Sequence, residues 1–293
     1  MKNKRRHAFS LVELLIVMAI IMILAAFFAA TAQRGREQSH KVGCINNLRT
    51  LSMSLQLYYN EHQSYPTGVL REDLSLYLEP DTTAYACPAT RKPYEHFYVP
   101  RRRPTSEEYV LGCPYHGVVS YRAGRGTRGF RTATVRHDGA TVPLGSDVGP
   151  GEIRLEDGAV VKVRGANAEV MILTSVRRED GTLYSILRLF RECGAAVLDV
   201  TVPPEAGSDL EIITPAAIAG VAGTKFRIQV NVTPSGHVKS RIQVFSGAVK
   251  VTPNSEEEPM LLTSGSPAKV VVTKPRPADS RWNRPPTNLS PIY

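Results

Sequence analysis

Proline is missing from the first 65 residues of this 293-residue chain, and only two glycines, Gly35 and Gly43, fall among them. These are the residues that most readily end a helix, so nothing before Pro66 forces a turn. Acidic residues are missing from the first twelve positions, which carry Lys2, Lys4, Arg5 and Arg6 instead. Between Phe9 and Ala30 the only charge is Glu13. Enzymatic signatures are missing too. There is no Gly-x-Ser-x-Gly elbow, no phosphate loop, no His-Glu-x-x-His and no convincing catalytic triad, and Gly265-Ser266-Pro267 reads as a turn. The chain therefore reads as non-enzymatic, with no catalytic residues, no cofactor and no metal ion called for.

What is present begins with a basic leader and an apolar run, Phe9 to Ala30, of membrane-spanning length. By the positive-inside rule the leader stays in the cytoplasm and the bulk of the chain is exported. A carboxylate within such a run costs a few kcal/mol or more unless it is partnered, so Glu13 calls for an explanation.

Leader, Phe9, Ser10, Leu11, Val12 and Glu13 together resemble the class III leader of type IV pilins and type II secretion pseudopilins. The resemblance implies cleavage between Ala8 and Phe9 by a prepilin peptidase, N-methylation of Phe9, and pairing of Glu13 with the free amine of a neighbouring subunit. Ala8 stands where the family has Gly. Partners implied are that peptidase, other pilin-like subunits through the N-terminal helix, and the membrane. Location follows as a single-pass inner-membrane protein with an extracytoplasmic bulk.

Past the apolar run, Val42, Ile45, Leu48, Leu51, Leu55, Tyr58 and Tyr59 recur at three- and four-residue steps. The spacing predicts an amphipathic helix continuous with the apolar one, from about residue 9 to about residue 62, roughly 80 Å long. Gly35 and Gly43 are its weak points, and Pro66 is expected to stop it. Cys44-Ile-Asn-Asn-Leu48 and the Tyr-rich close before Tyr65-Pro66 add to the pilin resemblance.

Leu70 to Pro80 is a short helix candidate. Lys92 to Pro100 and Tyr109 to Gly117 look like the small C-terminal sheet of major pseudopilins. Calcium-binding aspartates of that family are absent here, so no calcium is expected.

Four cysteines occur: Cys44, Cys87, Cys113 and Cys193. Export permits disulfides, and spacing alone leaves three connectivities open. Cys87 and Cys113 share a Cys-Pro context in one small region, and their pairing is the first expectation, with Cys44 the rival partner. Zinc is the alternative. Cys113-x-x-His116 has knuckle spacing and His96 is near, but Cys87-Pro-Ala-Thr90 lacks the second ligand of a Cys-x-x-Cys pair.

The formal net charge of +9 is unevenly spread. Arg101, Arg102 and Arg103 form one cluster. Arg122, Arg125, Arg128, Arg131 and Arg136 lie among Gly and Thr and read as a solvated connection. Aromatic spacing for base stacking is absent, so nucleic acid is not an expected partner.

From Glu152 onward short strands dominate. An Asp157-Gly158 turn marks a hairpin. Lys225 to Val232 alternates strictly, with Phe226, Ile228, Val230 and Val232 on one face. Leu155-Glu-Asp-Gly158, Gly194 to Val200, Thr214-Pro215-Ala216, Val221-Ala-Gly-Thr-Lys-Phe226, Val244 to Val251 and Leu261 to Gly265 resemble the FecR-type extracytoplasmic domain. That resemblance implies an envelope sensing or interaction module with an unidentified envelope partner. Family anti-sigma activity resides in a separate cytoplasmic segment, so it does not carry over to a chain with eight leader residues. The tail, with Lys274-Pro-Arg-Pro277 and Arg284-Pro-Pro286, is too polar to bury a core. Trp282 within it reads as incidental.

The expected fold class is α+β: a long pilin-type helix with a small α/β head, then an all-β FecR-like domain. Divisions are a leader (1–8), an assembly helix (9–32), a pilin-like helix and head (33–121), a basic linker (122–142), the β domain (143–273) and a disordered tail (274–293). The expected function is a pilin-like subunit of a type II secretion or type IV pilus-like machine displaying the β domain. The alternative is a monomeric membrane-anchored envelope receptor.

Overall fold

In a computed structural model of the chain, the described residues are 11–66, 70–99, 109–121, 128–190, 195–233, 237–254 and 258–273. Outside them lie Ala8 and Phe9, the Arg101 to Arg103 cluster, Arg122, Arg125, Cys193, Trp282 and the tail.

The class is α+β. Helix α1, Leu11–His62, runs without a break for 52 residues. Gly35 does not interrupt it, and a Cβ there would meet nothing within 4 Å. The first half of α1 exposes Leu14, Ile16, Ile20, Ile21, Met22, Ile23 and Leu24, each at 50% or more. Among the described residues, no helix is long and apolar enough to cross a membrane. The second half buries a stripe, Cys44, Leu48, Leu51 and Leu55, at 0–1% exposure. Steps of four, three and four keep these four on one face of a 3.6-residue helix. The helix closes at Gln63, whose φ of 53° is left-handed and whose N–H donates to the Tyr59 carbonyl at 2.8 Å. The stop therefore comes just before Tyr65-Pro66, which pushes the chain onward in extended form.

The described residues between 65 and 121 wrap this stripe as a collar. It contains a helical turn, α2 (Leu70–Asp73), and two 3-10 turns, Thr83–Tyr85 and Tyr94–Phe97. A small antiparallel sheet follows: β1 (Tyr109–Cys113), β2 (Val118–Tyr121) and β3 (Arg128–Gly129). The expected small α/β head is not evident as a distinct unit, although the helix stripe and the collar share a core of their own. Phe97, Val99, Tyr109 and Val119 belong to the same core as the β domain, so the collar is a layer between helix and sandwich.

The remaining strands make two eight-stranded sheets sharing one core. One sheet holds β4 (Arg131–Thr132), β7 (Asp147–Val148), β10 (Val170–Arg177), β11 (Leu183–Leu189), β13 (Asp209–Ile213), β14 (Ala217–Val221), β17 (Ala248–Pro253) and β18 (Met260–Thr263). The other holds β5 (Val135–His137), β6 (Ala140–Val142), β8 (Gly151–Leu155), β9 (Val160–Arg164), β12 (Ala196–Thr201), β15 (Lys225–Val232), β16 (Val238–Ser246) and β19 (Lys269–Thr273). β15 alternates as its sequence predicts, with Phe226, Ile228 and Val230 at 0–1% exposure. β11 and β13 pair in parallel because the chain visits the opposite sheet, as β12, between them.

The connection expected over residues 122–142 is not a linker where it is described. β3 completes the collar sheet, β4 pairs with β10, and β5 pairs with β8. Two- and three-residue strands are too short to show a period in sequence, and the partner of β4, β10, lies far along the chain. The sandwich accordingly starts near residue 131 rather than 143.

β10 and β11 are buried along almost their whole length. Strands of a two-sheet sandwich usually present one face to water. Here the collar covers the outer face. The Tyr184 hydroxyl accepts the Tyr109 N–H at 3.3 Å, and Arg188, 2% exposed, donates through Nη1 to the Tyr98 carbonyl at 3.4 Å.

Corner positions of the β domain are the motif residues. The Thr214 hydroxyl donates to the Ala217 carbonyl and accepts from the Ala217 N–H, which folds the Thr-Pro turn between β13 and β14. Asn254 Nδ2 donates to the carbonyls of Thr214 and Pro215. At the opposite corner Gly223, φ 61°, lies so close to Pro204 that a Cβ would approach its Cα to 2.9 Å. Thr224, 1% exposed, reaches the carbonyls of Ala222 and Ala248, both at 3.0 Å, and so joins two turns.

Candidate metal centre between helix and collar

Three separate segments meet where the helix enters the collar. Cys44 comes from the buried stripe of α1. Cys87 follows the 3-10 turn at Thr83–Tyr85, in a tight loop where the Arg91 N–H donates to the Cys87 carbonyl at 2.8 Å and the Cys87 N–H to the Lys92 carbonyl at 3.0 Å. Cys113 ends β1, and His116 lies in the turn that leads to β2, with Gly117 at φ 61° completing it.

Local sequence explains the convergence. Asn47, three residues beyond Cys44, donates through Nδ2 to the carbonyls of Thr83 and Ala86 at 3.2 and 3.1 Å, fastening the helix to the segment that carries Cys87. Gly43 faces Pro88, and a Cβ at Gly43 would lie 3.3 Å from the proline Cγ. The Cys-x-Asn-Asn-Leu run thus supplies a thiol, a backbone tie and a core leucine from one helix face.

Sγ of Cys44, Cys87 and Cys113 and a ring nitrogen of His116 all lie within 4.8 Å of one another. His116 Nδ1 is 3.5 Å from both Cys87 Sγ and Cys113 Sγ. The three thiols are buried, at 0–1% exposure, and are free cysteines. The Cys87–Cys113 disulfide expected from sequence is not present. Both residues do come together, but Cys44 and His116 share their site, so a pairwise reading omits half the cluster.

The Tyr94 hydroxyl donates to Cys44 Sγ at 3.0 Å, and both groups are buried. Hydrogen bonds from Cys113 and Cys44 hold the Cys87 thiol far below the ordinary thiol range. Hydrogen bonds with Cys44 and Cys87, reinforced by burial, push Cys113 far above it. At Cys44 the Cys113 hydrogen bond lowers the pKa, but the Cys87 hydrogen bond and burial outweigh it and raise it to about 12. Crowded thiolates in a buried site repel one another, so a positive charge placed among them would favour their ionised forms. Chemically, the set can hold a soft or borderline cation, or two of its thiols can be oxidised to a disulfide.

Ala8 and Phe9 are outside the described residues. Glu13 is within α1 near its N-terminal end, and its side chain is outside them too. His96 sits in the turn Tyr94–Phe97. Cys44, expected only as a rival disulfide partner, is the ligand candidate that joins the helix to this cluster. Its signal was its place in a buried helical stripe beside Gly43.

Comparison with known proteins gives two findings. Residues 3–29 match the family described as the Prokaryotic N-terminal methylation motif. Two crystal structures of a "putative anti-sigma factor" from Parabacteroides distasonis ATCC 8503 overlap parts of the chain. One has 18% identity, a TM-score of 0.30 and coverage of 45% of this chain and 57% of that one. The other has 17% identity, a TM-score of 0.29 and coverage of 48% and 59%. This chain thus spans a little over half the length of those chains, and overlap at that level establishes no relationship. No curated protein matches.

Proposed function

We propose that the chain is a pilin-like subunit of a type II secretion or type IV pilus-like machine, carrying a FecR-type sensing or interaction domain on the extracytoplasmic side. One observation carries this reading. The methylation motif at residues 3–29 leads into a 52-residue helix that is apolar and exposed at its start and packed into the protein at its end. An exposed apolar helical surface is stable only in lipid or against other helices. A single-pass inner-membrane location before assembly and helix-on-helix packing afterwards meet both needs. Processing by a prepilin peptidase frees the amine that Glu13 of a neighbouring subunit would neutralise, which offsets the cost of a carboxylate in an apolar layer.

The FecR-type reading of the β domain is supported by its motif residues. Thr214, Gly223 and Thr224 fall at corners where their side chains or backbone angles hold the sandwich together. Its role is recognition in the envelope rather than catalysis.

Mass spectrometry of the mature N-terminus tests the first part: a chain beginning at N-methylated Phe9 is expected, and an intact Met1 in cells containing the peptidase counts against it. Site-directed crosslinking tests the second. Glu13→Ala should insert normally yet form fewer oligomers. Undiminished crosslinking would remove the assembly role, and a parent chain that never crosslinks would favour the monomeric envelope receptor.

A further inference from the structure

We propose that Cys44, Cys87, Cys113 and His116 form a structural zinc site that fastens the helix to the collar. The geometry fits a metal better than a bridge. In a tetrahedron with zinc–sulfur bonds of about 2.3 Å and a zinc–nitrogen bond of about 2.05 Å, sulfur and nitrogen lie about 3.6 Å apart. Both measured sulfur–nitrogen separations are 3.5 Å. A disulfide, by contrast, joins two sulfurs at about 2.0 Å and leaves the third thiol and the imidazole with no role.

Ligand type selects the ion. Three thiolates and one imidazole are soft-to-borderline donors in a four-coordinate arrangement, the set that favours zinc over magnesium or calcium. All four positions are filled by protein, so no site remains for water or substrate, and the role is structural rather than catalytic. Burial of the three sulfurs shields the thiolates from oxidants. Tyr94, donating to Cys44 Sγ at 3.0 Å, stands where an outer hydrogen bond steadies a ligand.

Such a fastening suits the collar. Its regular elements are one helical turn, two 3-10 turns and strands of two to five residues. Tyr65, Leu70, Leu74, Tyr85, Tyr94 and Tyr98 pack on the helix stripe, but they come from turns and short segments rather than from any long element. Four ligands from α1, the loop at Cys87 and the β1–β2 turn would tie all of these to a single point. Zinc binding then contributes directly to folding, as in other small metal-held layers.

Elemental analysis of the full-length protein, extracted in detergent without added metal, should return about one zinc per chain. Cobalt substitution should give the visible bands and thiolate charge-transfer of a tetrahedral sulfur-rich site. His116→Ala, which deletes the least buried ligand, should retain the fold by circular dichroism and lose zinc to a chelator at least ten-fold faster. Cys193→Ser should keep the metal. Metal-free protein in which peptide mapping finds two of Cys44, Cys87 and Cys113 joined would overturn the assignment. So would zinc that survives His116→Ala unchanged or departs with Cys193→Ser. Chelation of the unmutated chain gives a check free of variants, and an unaltered melting temperature after complete zinc removal would rule out the structural role.

Discussion

The hydroxyl of Tyr94 and the sulfur of Cys44 are 3.0 Å apart, both sealed from water, although 49 other residues lie between them in the chain. The tyrosine belongs to a 3-10 turn of the collar and the cysteine to the long helix. Their hydrogen bond joins helix to collar in a buried layer, and it aims a donor at a sulfur. Burial, followed by the Cys44 hydrogen bond, pushes the Tyr94 phenol far above its ordinary range, so it remains a donor at any physiological pH.

Tyr94→Phe is expected to preserve ring packing and remove only that donor. If the cluster holds zinc, chelator-driven metal loss should speed up by roughly 10- to 100-fold, the usual cost of deleting an outer partner of a metal ligand. Stopped-flow measurement with a zinc indicator would read it, and an unchanged rate would show that the hydroxyl does not steady the sulfur.

Thr224→Val should destabilise the β domain by about 1–3 kcal/mol, because the shape is conserved while the hydroxyl shared by the Ala222 and Ala248 carbonyls is lost from a buried corner. Urea denaturation followed by circular dichroism would measure it. A change within error of zero would mean that turn geometry, not the hydroxyl, joins the two corners.

A fragment spanning residues 130–273 should unfold at a higher urea midpoint than one spanning 143–273. The shorter piece loses β4, β5 and β6, and with them Val135, which is 1% exposed in the shared core. Equal midpoints would show that these short strands contribute nothing to the sandwich.

Glu156 predicts an acid response. The Thr134 N–H and then Arg177 hold its carboxyl below the usual glutamate range. A depressed folded-state pKa contributes stability that is complete above the unfolded value, about 4.3, and is lost as pH falls through the folded value. Glu156→Gln should therefore lower the melting temperature at pH 7 slightly and flatten its decline below about pH 4.3. The side chain is 42% exposed, so solvent screening keeps the effect small. Parallel melting curves for the two proteins in acid would count against the contact.

Much of this architecture was legible in the chain because it is periodic. The helical stripe through Leu48, Leu51 and Leu55 and the alternation from Phe226 to Val230 each repeat long enough to identify an element. The hairpin at Asp157-Gly158 was legible from its turn residues, and Gly158 does adopt φ 87°. What was hidden is what depends on distant segments. Strands such as Arg131–Thr132 are strands only because β10 lies beside them. The fourfold cluster was hidden for the same reason: only Cys113 and His116 are close in sequence, and Cys44 reaches them through the packing of the whole helix against the collar. The Cys-Pro pairs at 87 and 113 pointed to a shared site, yet spacing could not decide between a bridge and a coordination set.

The covered outer face of β10 and β11 has a mechanical consequence. A sandwich joined to a helix by a loose tether would swivel, and its orientation would average out. Here β10 and β11 are seated against the collar, and the collar is seated on the helix, through buried contacts that include Arg188 with the Tyr98 carbonyl. Torque on the sandwich therefore passes into the helix axis. Any array built by stacking such helices would hold every sandwich at one fixed azimuth, so the outer surfaces of the sandwiches would repeat with the pitch of the array, as teeth follow a screw.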